Sequence, residues 1–288
     1  MRKCFFALFG MSVLLSSCLS DISGKQKDIQ QIPIARNNDF KVIGYWTGSD
    51  KKIDHESIQQ LDQIIYSFLH LDENHLNVTH QDSVYLNYLV SQRKINPDLK
   101  VLISLGGWGG CETCSDVFST EEGRTEFASS VKDILEKYKA QGIDLDWEYP
   151  AIAGYQGHTY KPEDRKNFTL LVERLRKVLG PDVVISFAAG GFEDYLEKSV
   201  DWNKVMPLVD HVNLMTYDIV NGGSSGTGHH TSLYSTENQK NSADYTIKYL
   251  DSIGVPHEKM VLGAAFYARV WEQVEDSLNG LYQKGKFK

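Results

Sequence analysis

The segment GIDLDWEYP, Gly142 to Pro150, carries Asp144, Asp146 and Glu148 at every second position of an otherwise apolar run. Side chains alternate along a strand, so these three acids share one face while Ile143, Leu145, Trp147 and Tyr149 share the other. Neighbours on one face lie about 6 to 7 Å apart, close enough for the carboxyl groups to couple in their protonation. Placing them in a protein interior is costly unless they are hydrogen-bonded, protonated or matched to a ligand. That combination points to proton transfer, with Glu148, nearest the C-terminal end of the strand, as the donor. A hard-metal site fits less well, because i, i+2, i+4 spacing spreads ligands along a line instead of converging them. A solvent-facing amphipathic strand would show the same alternation but needs one open sheet face.

The elements that must position these acids are legible on both sides. Seven segments read as strands: KVIGYWTG, QIIYSFLHL, KVLISLGGWGG, GIDLDWEYP, VVISFAAGG, HVNLMTYDIV and KMVLGAAFYARVW. Between them, DHESIQQL, QDSVYLNYLVSQRKI, STEEGRTEFASSVKDILEKYKAQ, KPEDRKNFTLLVERLRKVLG, DYLEKSVDWNKVMPLV and STENQKNSADYTIKYLDSIG read as helices. Ser119 and Glu122 have capping-box spacing, Pro162 stands near a helix start, and Gly142, Gly180 and Gly254 follow helix ends. Regular strand–helix alternation predicts an α/β fold with parallel strands covered by helices, a TIM (β/α)8 barrel in preference to an open doubly wound sheet. No GxGxxG follows the first strand, which argues against a dinucleotide site. Beyond Arg269 no eighth strand is evident, so the expected barrel is incomplete and truncated at its C-terminal end. In that barrel the acids point inward and Glu148 lies at the catalytic face.

GIDLDWEYP resembles the DxxDxDxE signature of glycoside hydrolase family 18, the chitinase family. SLGGWGG (Ser104 to Gly110) is similar to the family's SxGG strand, MTYD (Met215 to Asp218) to its sixth-strand motif, and FYAR (Phe266 to Arg269) to its seventh-strand Tyr-x-Arg. All four are expected on strands. The resemblance implies a retaining, substrate-assisted hydrolysis of β-1,4-linked N-acetylglucosamine polymers, in which the substrate's acetamide oxygen is the nucleophile. It assigns Glu148 as acid then base, Asp146 as the group that orients the acetamide, Asp144 as its proton-sharing partner, and Tyr217 as the hydroxyl that holds the acetamide oxygen. Met215, Asp218, Tyr267 and Arg269 would line the sugar site. Ser104, Gly106 and Gly107 would be structural, with Ser104 hydrogen-bonded to Asp144. Tyr45, Trp46, Phe68 and Trp108 are aromatic residues near strand ends that could stack on sugars or pack in the core. Gln141 departs from the signature, which begins with Asp, and a change of local packing is expected there. The missing eighth strand would supply a Trp to the floor of the subsite. Alternatives are an endo-β-N-acetylglucosaminidase acting on N-glycans and a non-catalytic chitin-binding protein, the latter opposed by the presence of Glu148. No cofactor or metal is implied, and the adjacent His229 and His230 are read as loop contacts.

The start, MRKCFFALFGMSVLLSSCLS, has a basic pair, a short apolar stretch and small residues before Cys18. This reads as an export signal, too short to span a bilayer comfortably. LSSC resembles a bacterial lipobox, which implies lipidation of Cys18 and anchoring in the cell envelope. Residues 1–17 are therefore read as the signal, 18–39 as a flexible tether and 40–288 as the glycosidase barrel, expected to be monomeric. Cys111 and Cys114, in CETC, could be a disulfide, a redox pair or half a metal site, and a short-loop disulfide fits an exported chain best. A net charge of −8 with no basic stripe disfavours nucleic acid as a partner.

Overall fold

In the computed structural model, residues 40–288 are described. The expected signal peptide, the tether and the lipidation site Cys18 lie outside them. All seven expected strands form: β1 (Ile43–Trp46), β2 (Gln63–Asp72), β4 (Lys100–Gly106), β5 (Gly142–Asp146), β6 (Val184–Gly190), β7 (His211–Met215) and β8 (Met260–Leu262). They pair in parallel in the order β1-β2-β4-β5-β6-β7-β8, each joined to the next in sequence. Short β3 (His75–Asn77) folds back antiparallel on β2.

The sheet is curled. β1 and β7 are five steps apart, about 24 Å in a flat sheet, yet Asn213 on β7 donates to the Tyr45 hydroxyl on β1 at 2.9 Å. Seven strands wrapped in this way form an incomplete (β/α)8 barrel. Ile65, Leu102 and Val184 fill its interior, while Ile143, Leu145 and Trp147 join the larger core outside the strands.

Among the described residues the α-helices are α1 (His55–Gln60), α2 (His80–Ser91), α3 (Cys114–Val117), α4 (Glu121–Tyr138), α5 (Asp164–Leu179), α6 (Glu193–Lys198), α7 (Trp202–Val205) and α8 (Ala243–Ser252). In α4, Phe127, Val131, Leu135 and Tyr138 recur at helical spacing and are buried. Full burial of a side chain such as Phe127 contributes about 1.5 to 3 kcal/mol. The cap of this helix is Thr120, whose hydroxyl accepts from the Gly123 N–H at 3.0 Å. The expected cap, Ser119, instead donates to the Asp116 carbonyl. Nor does Gly142 end α4: Lys139 takes the left-handed turn, and Gly142 opens β5. The segment read as one helix from Asp194 to Val209 breaks into α6 and α7 around Ser199–Asp201, and α8 starts only at Ala243, capped by Ser242.

After β8 the chain makes a two-stranded antiparallel pair, β9 (Trp271–Glu272) with β10 (Lys286–Phe287), which the sequence reading left without structure. Thr227, in the segment after β7, donates its N–H to the Gln283 carbonyl at 2.8 Å, which ties this pair to the top of the sheet. No helix among the described residues is long and apolar enough to cross a membrane.

Candidate active site

β5 carries Asp144 and Asp146 into the barrel, and Glu148 follows just beyond its last residue. Asp144 is fully buried and collects four donors. Its Oδ2 accepts from the Ser104 hydroxyl at 2.9 Å and the Tyr45 hydroxyl at 3.0 Å. Its Oδ1 accepts from the Ser186 hydroxyl at 2.6 Å and the Asn213 amide at 3.1 Å. Burial raises its pKa, and those hydrogen bonds oppose the rise.

Asp146, one step closer to the mouth, lacks this support. Its Oδ1 is buried without a partner. Burial, then the charges of Glu148 and Asp144, push its pKa well above the usual carboxylate range. Burial and neighbouring charge thus favour the neutral form of Asp146, while four donors favour the ionised form of Asp144. Asp146 feels the charges of Asp144 and Glu148, so the protonation of the acids is linked.

Glu148 is raised to about 7, chiefly by burial, with the Asp218 charge adding and Tyr149 opposing. A carboxyl group in that range can give a proton near neutrality and take it back. Tyr217 stands within the field of Asp146, Glu148 and Asp218, and burial is the main cause of its raised pKa. Gly263 after β8 leaves room for its ring: a Cβ there would fall 2.9 Å from Tyr217 Cε1. Asp218 has a lowered pKa even though burial raises it, because Arg269 and Tyr267 hold its ionised form. Arg269 Nε donates to Oδ1 at 2.5 Å and the Tyr267 hydroxyl to Oδ2 at 2.6 Å.

β4 makes room for this cluster. Gly106 has φ +106, and a Cβ on it would fall 2.2 Å from the Asp146 carbonyl oxygen. Gly107, at φ +79, sits against the Phe68 ring and donates its N–H to that same carbonyl at 2.9 Å. Trp108 follows with its indole 61% exposed, flanked edge-on by Tyr155 at 5.6 Å and tilted against Tyr149 at 6.4 Å. Cys111 and Cys114 form the disulfide that closes this loop.

Residues 41–288 match the family described as glycosyl hydrolases family 18. The chain belongs to that family. Chitinase A1 of Niallia circulans is 35% identical over 215 residues, 69% of this chain, which therefore spans only 30% of that relative. Among solved structures, a family 18 N-acetylglucosaminidase from Paenibacillus barengoltzii superposes with a TM-score of 0.80 at 35% identity, covering 86% of this chain and 76% of that one. Chitinase ChiW of a Paenibacillus species, a cell-surface-expressed multi-modular enzyme, gives a TM-score of 0.78 at 34% identity, covering 85% of this chain and 32% of that one.

The family motifs sit less fully on strands than their sequence suggests. Of MTYD only Met215 belongs to β7, and FYAR lies wholly beyond β8, with Phe266 99% exposed. The reason is functional geometry: side chains that reach over the barrel mouth must leave the ladder. The structure gathers Asp144, Asp146, Glu148, Tyr217, Asp218, Tyr267 and Arg269 around one opening, with Met215 at the end of β7 beside Gly190. Tyr45, expected to stack on sugar or pack in the core, also braces the acids. The residue is 40% exposed on the β1 edge, but its hydroxyl points inward and is spent on Asp144 and Asn213. Trp46 packs outside the barrel with Tyr66, Tyr85 and Tyr88. Gln141 explains its own departure from the signature. Its carboxamide accepts from the Val101 N–H at 2.8 Å and also donates to the Lys139 carbonyl, a bond no carboxylate could make. Ser186 and Asn213 were missed. Their only signal was a polar residue at an inward position of an otherwise apolar strand. Among the described residues no group of three or more His, Cys, Asp or Glu side chains could hold a metal ion.

Proposed function

We propose that this chain hydrolyses β-1,4-linked N-acetylglucosamine polymers of the chitin type with retention, using the substrate's own acetamide as nucleophile. The observation that carries the proposal is Glu148, a buried acid held near 7 at the mouth of the barrel, two residues beyond an Asp146 whose burial and neighbouring charges favour its neutral form. Every other carboxylate near it is committed: Asp144 to four donors, Asp218 to Arg269 and Tyr267. None of them is free on the opposite side of a sugar to form a glycosyl ester, which favours an internal nucleophile. In this reading Glu148 protonates the leaving oxygen and then activates water. Asp146 accepts the acetamide N–H through a carboxyl oxygen and so orients the group for attack, and the Tyr217 hydroxyl holds the acetamide oxygen.

The test is Glu148→Gln assayed on chitooligosaccharides. Hydrolysis should fall by three orders of magnitude or more, roughly the upper part of the range for loss of a general acid, while oligosaccharide binding measured by calorimetry persists. Undiminished turnover would remove Glu148 as the acid. A second reading, release of single N-acetylglucosamine units, is favoured by the likeness to the Paenibacillus barengoltzii N-acetylglucosaminidase, and the product distribution separates the two. Export and lipid anchoring at Cys18 belong to the same proposal, supported by the basic, apolar and small-residue pattern of residues 1–18. So does action as a monomer. Incorporation of labelled palmitate, lost in Cys18→Ser, tests the anchor.

A further inference from the structure

His230 lies in the segment after β7, twelve residues beyond Asp218. Its Nδ1 accepts the backbone N–H of Asp218 at 3.0 Å, and its carbonyl accepts the N–H of Ile219 at 3.2 Å. The ring packs against Tyr267, 5.1 Å between centroids. An acceptor at Nδ1 fixes the tautomer, because in a neutral imidazole the proton must then sit on Nε2. Nε2 is buried and meets no partner, so the ring leaves one donor unsatisfied while its other nitrogen grips Asp218.

What it grips is unusual backbone. Asp218 stands at φ +55, in the left-handed region that side chains with a Cβ avoid. Nothing in the Asp218 side chain's own bonds fixes that peptide, since both carboxylate oxygens are engaged by Tyr267 and Arg269. Nδ1 also lies 3.3 Å from Asp218 Oδ1, but while it accepts from the N–H it has no proton to give the carboxylate. Asp218 and Tyr267 face this ring, and Arg269 holds the same Asp218 carboxylate. Asp218 is in turn one of the charges acting on Glu148.

We propose that His230 is a positioning residue: as the Nε2–H tautomer it fixes the backbone of Asp218 and so sets where the Asp218 carboxylate, Tyr267 and Arg269 stand at the mouth. The proposal rests on the reading of that mouth as the sugar site. It gives a role to a residue that the adjacent pair His229–His230 disguises as a metal motif or a loop contact. His229 makes no such bond with its ring; it is held through its backbone by Gln239.

Two measurements on the full chain decide it. Nitrogen NMR of labelled imidazoles should show His230 with an unprotonated, hydrogen-bonded Nδ1 and a protonated Nε2. A proton on Nδ1 at neutral pH overturns the proposal whether or not the chain hydrolyses anything. In kinetics, His230→Leu keeps the volume and removes the acceptor, while His230→Asn places Oδ1 the same number of bonds from Cα as Nδ1. The Leu variant should lose about tenfold in kcat/KM, the equivalent of one hydrogen bond. Its alkaline limb should move to lower pH as the Asp218 charge swings away from Glu148. The Asn variant should restore both. Equal losses in the two variants, or a Leu variant with the wild-type rate and pH profile, overturn the proposal. A wild-type chain without hydrolysis would defeat the glycosidase reading and leave the NMR result to decide His230. Should the Leu variant fail to fold, the Asn variant and the tautomer still do so.

Discussion

Asp144 and Asp146 show how much two residues of separation can matter. Both point into the barrel from one strand, but Asp144 meets four donors whereas an oxygen of Asp146 meets none. Glu148, at the opening, is raised from 4.5 to about 7, and that shift has a consequence for stability. Between these values the folded chain holds the proton more tightly than the unfolded chain. The penalty for burying the charge is therefore absent below about 4.5, grows through the interval and is complete above about 7, where it reaches up to about 3 kcal/mol. Glu148→Gln removes the titration. Compared with wild type, the variant should gain up to about 3 kcal/mol in urea unfolding on going from pH 4 to pH 8. A difference that does not change with pH would mean that Glu148 titrates alike in the folded and unfolded chain. The three acids and their common face were legible because strand alternation alone determines them, and the Ser104 bond to Asp144 was implied by the family resemblance. The bonds from Tyr45, Ser186 and Asn213 were not. Ser186 depends on the register of β6 beside β5, and Tyr45 and Asn213 reach Asp144 only because the sheet curls.

The β4–β5 junction argues at the scale of the element. Parallel strands here are close enough that Gly106 leaves no room for any side chain beside the Asp146 carbonyl. Gly157, in the loop beyond Glu148, has a comparable φ of +91 but open space around it. The pair separates two costs that sequence alone merges. Gly157→Ala should lose about 1 to 2 kcal/mol, the penalty of a left-handed conformation. Gly106→Ala should lose at least about 1 to 3 kcal/mol more, because a backbone oxygen must also move. Denaturant titration of both variants checks this, and equal losses would show that β4 gives way without resistance. Element type was readable where periodicity ran through a whole element, but the run read as a strand through FYAR ends at Leu262. Boundaries were not, since the choice between Ser119 and Thr120 as the cap of α4 turns on which hydroxyl meets Gly123. The β9–β10 pair is two residues per strand, too short to show any period.

At the scale of the molecule, the curled sheet distributes protection unevenly. β4, β5 and β6 have a paired strand on each side, while among the described residues β1 pairs only with β2 and β8 only with β7. Burial follows pairing: every residue of β5 and β6 is buried, and none of β1 or β8 is. The site straddles that gradient. Its acids stand on the most protected strand, whereas Tyr45 hangs from one edge and Tyr267 and Arg269 follow the other. The Tyr45–Asn213 bond therefore braces the β1 edge to β7 through the interior, and it is the Asp144 carboxylate, accepting from both, that holds the brace. Hydrogen exchange followed by mass spectrometry should show peptides covering Leu102–Leu105, Ile143–Leu145 and Ile185–Ala188 opening only with global unfolding. Those covering Ile43–Trp46 and Met260–Leu262 should exchange earlier, by local opening. Asp144→Asn keeps the shape of the side chain but removes its charge, so the acceptor that joins Tyr45 to Asn213 is weakened. The variant should hasten exchange in the β1 peptide more than in the β5 peptide that carries the substitution. Uniform acceleration across the sheet would show that the acid supports the whole barrel rather than its open edge.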